Sequence, residues 1–217
     1  MEKYLSVICA SRLFSGVDPD RAALLLPRLS PRFTDYGRGD YILHAGEPVS
    51  SLGLVLSGRV LVVKEDFWGG RNLLSSLGPG QCFAETFACV PGSVLGVSVV
   101  ADAPCRILFL SAREMLSSPD HSPLVRNLLT DMAGKNLGFT EKLTHLGQRT
   151  TRNKLLSYLS AQAQRSGKTE FDIPFSRQQL ADYLLVDRSG LSAELCRMRD
   201  EGLLEFHKNH FILHHTI

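Results

Sequence analysis

Short apolar runs broken by glycine turns fill the stretch from about residue 36 to 110: GDYILHAGE, SLGLVLSGRVLVVKED, NLLSSLGPGQCF and LGVSVVADAPCRILFL. Runs of this length at such regular spacing predict the strands of an all-β barrel or sandwich, with no alternation of strand and helix. Trp68-Gly69-Gly70 is expected at the tip of a hairpin, where glycine reaches the backbone conformations a tight turn needs. Ahead of this region, DPDRAALLLPRLS (18–30) predicts a short helix opened by Asp18, with Pro19 at the first helical position.

From Ser122 or Pro123 to Gly147 the period becomes helical. Val125, Leu129, Met132, Asn136, Phe139, Leu143 and Leu146 step by 4, 3, 4, 3, 4 and 3. That is a heptad seam with one polar residue in it. A narrow apolar stripe on a long helix calls for a partner helix, and a lone asparagine in such a seam fixes register and two-strandedness at some cost in stability. The alternative is that the same stripe packs on the β-region. Gly134, Gly138 and Gly147 each weaken the helix by up to about 1 kcal/mol relative to alanine.

A further amphipathic helix, NKLLSYLSAQAQ, ends near Ser166-Gly167, and FDIPF follows as a strand. Ser176 with Gln179 three residues on forms a capping box. Leu180 and Leu184 give a short apolar face, a turn falls at Leu185-Val186, and Asp187 caps a second helix. Leu191, Leu195 and Met198 share one side of that helix, which Gly202 ends. LLEFH and HFILH flank Lys208-Asn209 as a tight hairpin. Two short helices followed by a hairpin make a winged helix-turn-helix, whose second helix fits the major groove of DNA. Arg188, Ser189 and Ser192 lie near its N-terminal turn, on the side away from the apolar face. Ser176 and Arg177 open the first helix, where a phosphate meets free N–H groups. Lys208 sits at the wing.

Composition adds bounds. Hydrophobic residues are 44% and charged residues 21% of 217, ordinary for a globular chain. Residues 1–148 carry 14 basic and 14 acidic side chains, and 149–217 carry 10 and 8, so the small net charge of +2 falls in the C-terminal part. This permits contact with nucleic acid without arguing for it. No apolar run approaches a membrane span. MEKYLSVICASRLF has Glu2 early and no long apolar core, so it does not read as a signal peptide, and a cytoplasmic protein is expected. Cys9, Cys82, Cys89, Cys105 and Cys196 are odd in number and form no CxxC pair, which suits reduced thiols better than a disulfide framework or metal site. There is no Ser/His/Asp arrangement, carboxylate pair or phosphate-binding Gly-Lys loop, so an enzyme is not expected.

One stretch carries more. GQCFAETFACVPGSVLGVS, Gly80 to Ser98, has a glycine, an acid, a Pro91-Gly92 turn and small residues, the outline of a phosphate-holding loop without a lysine or arginine. With SRQQLADYLLVDRSGLSAELCRMRDEGLLEF and the order of segments, the chain resembles the CRP/FNR family of bacterial transcription regulators from about residue 12 to 217. The resemblance implies an α+β fold. A β-roll of the cyclic-nucleotide-binding type with an N-terminal helix would occupy 1–120, a dimerisation helix 121–148, and a winged helix-turn-helix 149–217. It implies a cytoplasmic homodimer on double-stranded, palindromic operator DNA, with RNA polymerase a further partner if it activates.

The departures are informative. Cyclic-AMP-binding members carry Gly-Glu early in this loop and Arg-Ser about ten residues on, the arginine meeting the cyclic phosphate. The matching residues here are Ala84-Glu85 and Leu95-Gly96. A buried phosphate without its counter-charge is unfavourable, so cyclic AMP is not expected; Ser98 can donate a hydrogen bond but supplies no charge. The expected pocket is Phe83, Glu85, Thr86, Leu95, Gly96 and Val97, with Asn136 and Leu137 leaning in. It would hold an uncharged or aromatic effector, or none, and Glu85 reads as isolated among apolar residues. No cofactor is expected. The N-terminal cysteine cluster of the iron–sulfur branch is lacking, since that part offers only Cys9. His44, Cys82 and Cys89 are haem ligands by type only. His207, His210, His214 and His215 show no ligand spacing and read as solvated hairpin residues.

In the reading helix, Ala193 and Ser189 stand where the family often has an arginine and an acid, and Leu185 replaces the turn glycine. If left-handed, Leu185 costs roughly 1–2 kcal/mol. An unfamiliar half-site, read more through phosphates, is expected. Ala193, Gly190 and Leu185 support the competing reading, a ligand-binding or protein-interaction module with a degenerate DNA-binding helix.

Overall fold

A computed structural model describes residues 2–65 and 71–214, and the Trp68-Gly69-Gly70 turn lies outside them. The chain divides into two compact units, 1–136 and 137–217.

The first unit opens with helices α1 (Glu2–Ala10) and α2 (Pro19–Leu25). Asp18 caps α2 as its spacing predicts, its side chain accepting from the Asp20 N–H. Strands β1 (Arg32–Tyr36), β2 (Tyr41–Leu43), β3 (Ser51–Ser57), β4 (Val60–Glu65), β5 (Arg71–Leu77) and β6 (Cys82–Phe83) follow. Then come α3 (Glu85–Ala88), β7 (Ser98–Ala101), β8 (Cys105–Ser111), α4 (Ala112–Ser117) and the long α5 (Ser122–Leu146). The strands form two four-stranded antiparallel sheets, ordered β1-β8-β3-β6 and β2-β7-β4-β5.

The central strands read as unbroken apolar runs because both of their faces are buried. Leu52, Leu54 and Leu56 of β3, with Leu108 and Leu110 of β8, pack on a helical layer containing Ile8, Phe14, Leu26 and Leu124. The alternate residues Val55, Ile107 and Phe109 join Val60, Val99 and Phe83 between the sheets. Gly53 lies on that inner face, where a Cβ would stand 2.1 Å from Cζ of Phe83. The ring of Phe83 therefore occupies the place of a side chain on β3.

Helix α5 turns two different stripes to its surroundings. Leu124, Leu128 and Asp131 are buried. The heptad seam lies about one residue round from these: Leu129 is 68% exposed, Phe139 45% and Leu143 69%. Val125 and Met132 are shared, lying partly against the helical layer.

The second unit takes the last turns of α5 with α6 (Thr151–Ser166), β9 (Glu170–Asp172), α7 (Arg177–Leu184), α8 (Arg188–Asp200), β10 (Leu204–His207) and β11 (His210–Leu213). The unit boundary thus falls inside a continuous helix. β9 is shorter than the FDIPF run suggests and stops before Pro174, which has no N–H to give a ladder. The sheet order is β10-β11-β9, all antiparallel. Leu180, Leu184, Leu191, Leu195 and Met198 are buried as one core. Beside it Tyr158 packs against Phe175, Tyr183 and the ring of His145.

Candidate effector site and nucleic-acid interface

β6 delivers the chain to Ala84, which takes a left-handed conformation with φ of 61° and starts α3. A non-glycine residue held there costs on the order of 1–3 kcal/mol. The turn places Glu85 in the first turn of α3, 5% exposed. Contrary to the sequence expectation, Glu85 is not isolated among apolar residues. Lys135 of α5 donates to Glu85 Oε1 at 2.7 Å and to the Cys82 carbonyl at 2.7 Å. Its ammonium also lies 3.0 Å from Asp131 Oδ2, one helical turn back, and Asp131 accepts from Arg12 at 3.2 Å. Burial alone would pull the Lys135 ammonium down, but Glu85 foremost, with Asp131, holds it above the ordinary lysine range. Two carboxylates and two cations thus make a locally neutral network. An ammonium has three N–H donors, and here three oxygens meet them.

The far side of the loop is pinned by backbone. Gly46 N–H donates to the Leu95 carbonyl at 2.7 Å, and Leu95 N–H to Glu47 at 2.9 Å. Leu95 is buried, Gly96 is exposed and Val97 half-buried. A Cβ on Gly96 would lie 3.8 Å from the Phe87 ring, a residue the sequence reading left out. Ser98 is buried and its hydroxyl accepts from the Ala45 N–H at 3.1 Å. Phe83 belongs to the inter-sheet core, edge-on to Phe109, and Thr86 is exposed. Asn136 ends the first unit and Leu137 opens the second, both exposed.

His44 stacks on Tyr41 with centroids 4.6 Å apart. The Cys82 thiol is pushed up to about 12 by burial, and the Cys89 thiol is also raised by burial. Neither is a ready thiolate. Among the described residues, no group of three His, Cys, Asp or Glu is placed to hold a metal ion.

In the second unit, the capping box forms in full: Ser176 Oγ accepts from Gln179 N–H and Gln179 Oε1 accepts from Ser176 N–H. Leu185 is left-handed, with φ of 52°. Lys154 of α6 caps the turn, donating to the Leu184 carbonyl at 3.0 Å and the Leu185 carbonyl at 3.4 Å. A cation at a helix C-terminus offsets part of the strain. Asp187 caps α8 by accepting from Gly190 N–H at 2.8 Å, and also accepts from the Ser189 hydroxyl. The Ser189 hydrogen bond, then those of the backbone, hold the Asp187 carboxyl below its usual range.

Arg188, Ser189, Ala193 and Arg197 are exposed on α8 and Ser192 is half-buried, so the side opposite Leu191, Leu195 and Met198 faces outward. Arg197 is an additional cation there, which the emphasis on the first turn passed over. Arg177 points elsewhere. It donates to the Lys208 carbonyl at 2.9 Å and lies over the Phe206 and Phe211 rings at 4.9 and 5.6 Å. Lys208 is exposed at the wing turn, with φ of 54°. On the wing sheet, His210 lies 3.3 Å from Glu170 and 3.1 Å from Asp172, and His214 is 3.1 Å from Glu205. His215 lies outside the described residues.

A sheet pair holding an acid-bearing loop, a long helix beside that loop and a winged helix-turn-helix are together the build of a DNA-binding transcription regulator. Residues 33–118 match the cyclic nucleotide-binding domain and residues 153–216 the Crp-like helix-turn-helix domain. The chain belongs to the CRP/FNR family of transcription regulators. It is 27% identical over 195 residues to the cyclic AMP receptor protein of Thermus thermophilus, covering 89% of this chain and 88% of that one. It is 33% identical over 86 residues to a CRP-like cAMP-activated global transcriptional regulator of Mycobacterium tuberculosis, a match spanning 40% of this chain and only 38% of that protein. Its fold is similar to that of the c-di-GMP responsive global regulator CLP of Xanthomonas campestris, with a TM-score of 0.73 and 18% identity, covering 92% of this chain and 100% of that one. No helix among the described residues is long and apolar enough to cross a membrane.

Proposed function

We propose that the protein is a cytoplasmic homodimer that binds palindromic double-stranded DNA and whose effector site does not take cyclic AMP. It acts by binding and not by catalysis. The dimer reading rests on the exposed seam: Leu129, Phe139 and Leu143 are spaced for a second helix and stand uncovered. The second helix is that of another copy, since the heptad run with one asparagine is self-complementary about a two-fold axis. Paired reading heads then match paired half-sites.

The observation that carries the effector reading is the chemistry of the loop. Leu95-Gly96 stand where the family's cyclic-AMP binders have a cation and a hydroxyl. The cation that does reach the loop, Lys135, is met by three oxygens of this chain. A cyclic phosphate would have to displace a carboxylate to reach it. Calorimetric titration of cyclic AMP into the purified protein tests this. No heat and no thermal shift are expected, and micromolar binding would overturn the effector reading. Gel shifts with DNA from around its own gene test the rest. A protein that bound none of it would be a ligand-binding or protein-interaction module instead.

A further inference from the structure

We propose that Lys135 is a built-in ligand of the effector loop. It makes from within the chain the joint between loop and long helix, and so restricts the site to ligands that bring no anionic group. This rests on the reading of residues 80–98 as the effector loop.

The argument starts from donor counting. The ammonium has three donors, and its oxygen neighbours come from three places: the β6 carbonyl of Cys82, the Glu85 carboxylate of α3 and the Asp131 carboxylate of α5 itself. Two of the three lie in the loop, so the side chain ties α5 to both ends of the Ala84 turn. Asp131 sits one turn N-terminal to the lysine, the favourable order for such a pair on a helix, and orients it. Arg12 supplies the second positive charge that leaves the network neutral. Glu85 and Asp131 are both buried, with side chains 6% exposed.

Burial decides what can enter. Removing one member of a buried ion pair leaves an uncompensated charge, which is strongly unfavourable. An anionic ligand that took Lys135 would strand Glu85 and leave Asp131 to Arg12 alone, while a ligand carrying no charge leaves every bond in place. The neutral network thus selects by charge before shape is considered.

Hydrogen exchange on the full-length protein tests this, comparing the wild type with Lys135→Met, Glu85→Gln and the double variant. Lys135→Met is expected to speed exchange in residues 82–90 by about tenfold or more, while the β3 and β8 amides keep their protection. Adding Glu85→Gln to Lys135→Met is expected to restore most of the protection, because no stranded carboxylate then remains in the loop. If Lys135→Met does not fold, the comparison of Glu85→Gln with the wild type carries the same test, with faster exchange confined to 82–90 expected. Unchanged exchange in the loop, or faster exchange spread evenly over the first unit, would overturn the proposal. The readout uses no DNA and no effector. A failure to bind DNA or an unexpected affinity for cyclic AMP is therefore scored separately.

Discussion

Arg177 Nη2 donates to the Lys208 carbonyl at 2.9 Å, across 31 residues of sequence, with its guanidinium over the rings of Phe206 and Phe211. The side chain that opens the helix-turn-helix thus holds the wing turn in place. Arg177→Ala is expected to lose about 1–3 kcal/mol of stability in denaturant unfolding, from a hydrogen bond, cation–π contact and packing together. A residue serving only as a phosphate contact would give a different result: stability unchanged, and the slope of log affinity against log salt reduced by about 0.9. Measuring both quantities on one variant separates the roles.

Among the four described non-glycine residues with left-handed conformations are Ala84 at the start of α3 and Leu185 between α7 and α8. Replacing either by glycine removes that strain at the expense of a more flexible unfolded chain. Leu185 is 48% exposed, so little packing is lost with its side chain. Ala84→Gly and Leu185→Gly are each expected to raise stability by about 1 kcal/mol, read as a higher denaturant midpoint at constant slope.

Gly53→Ala is expected to act in the opposite direction. Its methyl group would fall on the Phe83 ring, and overpacking of this kind costs about 1–3 kcal/mol or more. A large fall in midpoint, eased by combining it with Phe83→Leu, would mark the contact as the cause. A tolerated Gly53→Ala would mean that β6 is free to move aside.

Lys142 lies 4.4 Å above the Tyr183 ring, and burial lowers its ammonium to about 8. The Tyr183 hydroxyl is itself pushed up to about 12 by burial. In the unfolded chain the lysine titrates near its ordinary value of 10.5. Between the two values the unfolded chain holds more protons, so stability rises with pH from about 8 to 10.5, while below about 8 the full penalty of burying the charge is present. Lys142→Met is expected to flatten that rise by about 2–3 kcal/mol. Unfolding curves for the two proteins at pH 7 and pH 10 would test it; parallel curves would count against a buried charge.

Leu143→Asp and Leu129→Asp are expected to convert the proposed dimer to monomer without unfolding either unit, because both side chains are exposed within one chain. Sedimentation would read the change in mass, and a mass unchanged from the wild type would remove the seam from the interface.

Much of the fold was legible because the signals are local. The heptad steps of α5, the capping box at Ser176 and Asp187 as a cap are each set within a few residues. β3 was legible as a strand, though not that its three leucines face the helical layer and Val55 the space between the sheets, since both faces are buried. The site was less legible. Glu85 and Lys135 are 50 residues apart, and a lysine four residues after an aspartate on a helix ordinarily signals a solvated face. Arg177 in a first turn resembles a phosphate contact until Phe206 and Phe211 are brought beneath it. Lys154, which caps the Leu185 turn, gives no sign in sequence at all. In each case the deciding partner comes from another element, where spacing along the chain carries no information.

The uncovered leucines of α5 bear also on the protein's life in the cell. A lone chain displays the apolar side chains that chaperones and proteases recognise in immature proteins, whereas the proposed pairing would hide them. Degradation would then fall selectively on unpaired copies. In the proposed dimer, the pool that survives would be enriched in the form able to grip both halves of a palindromic site.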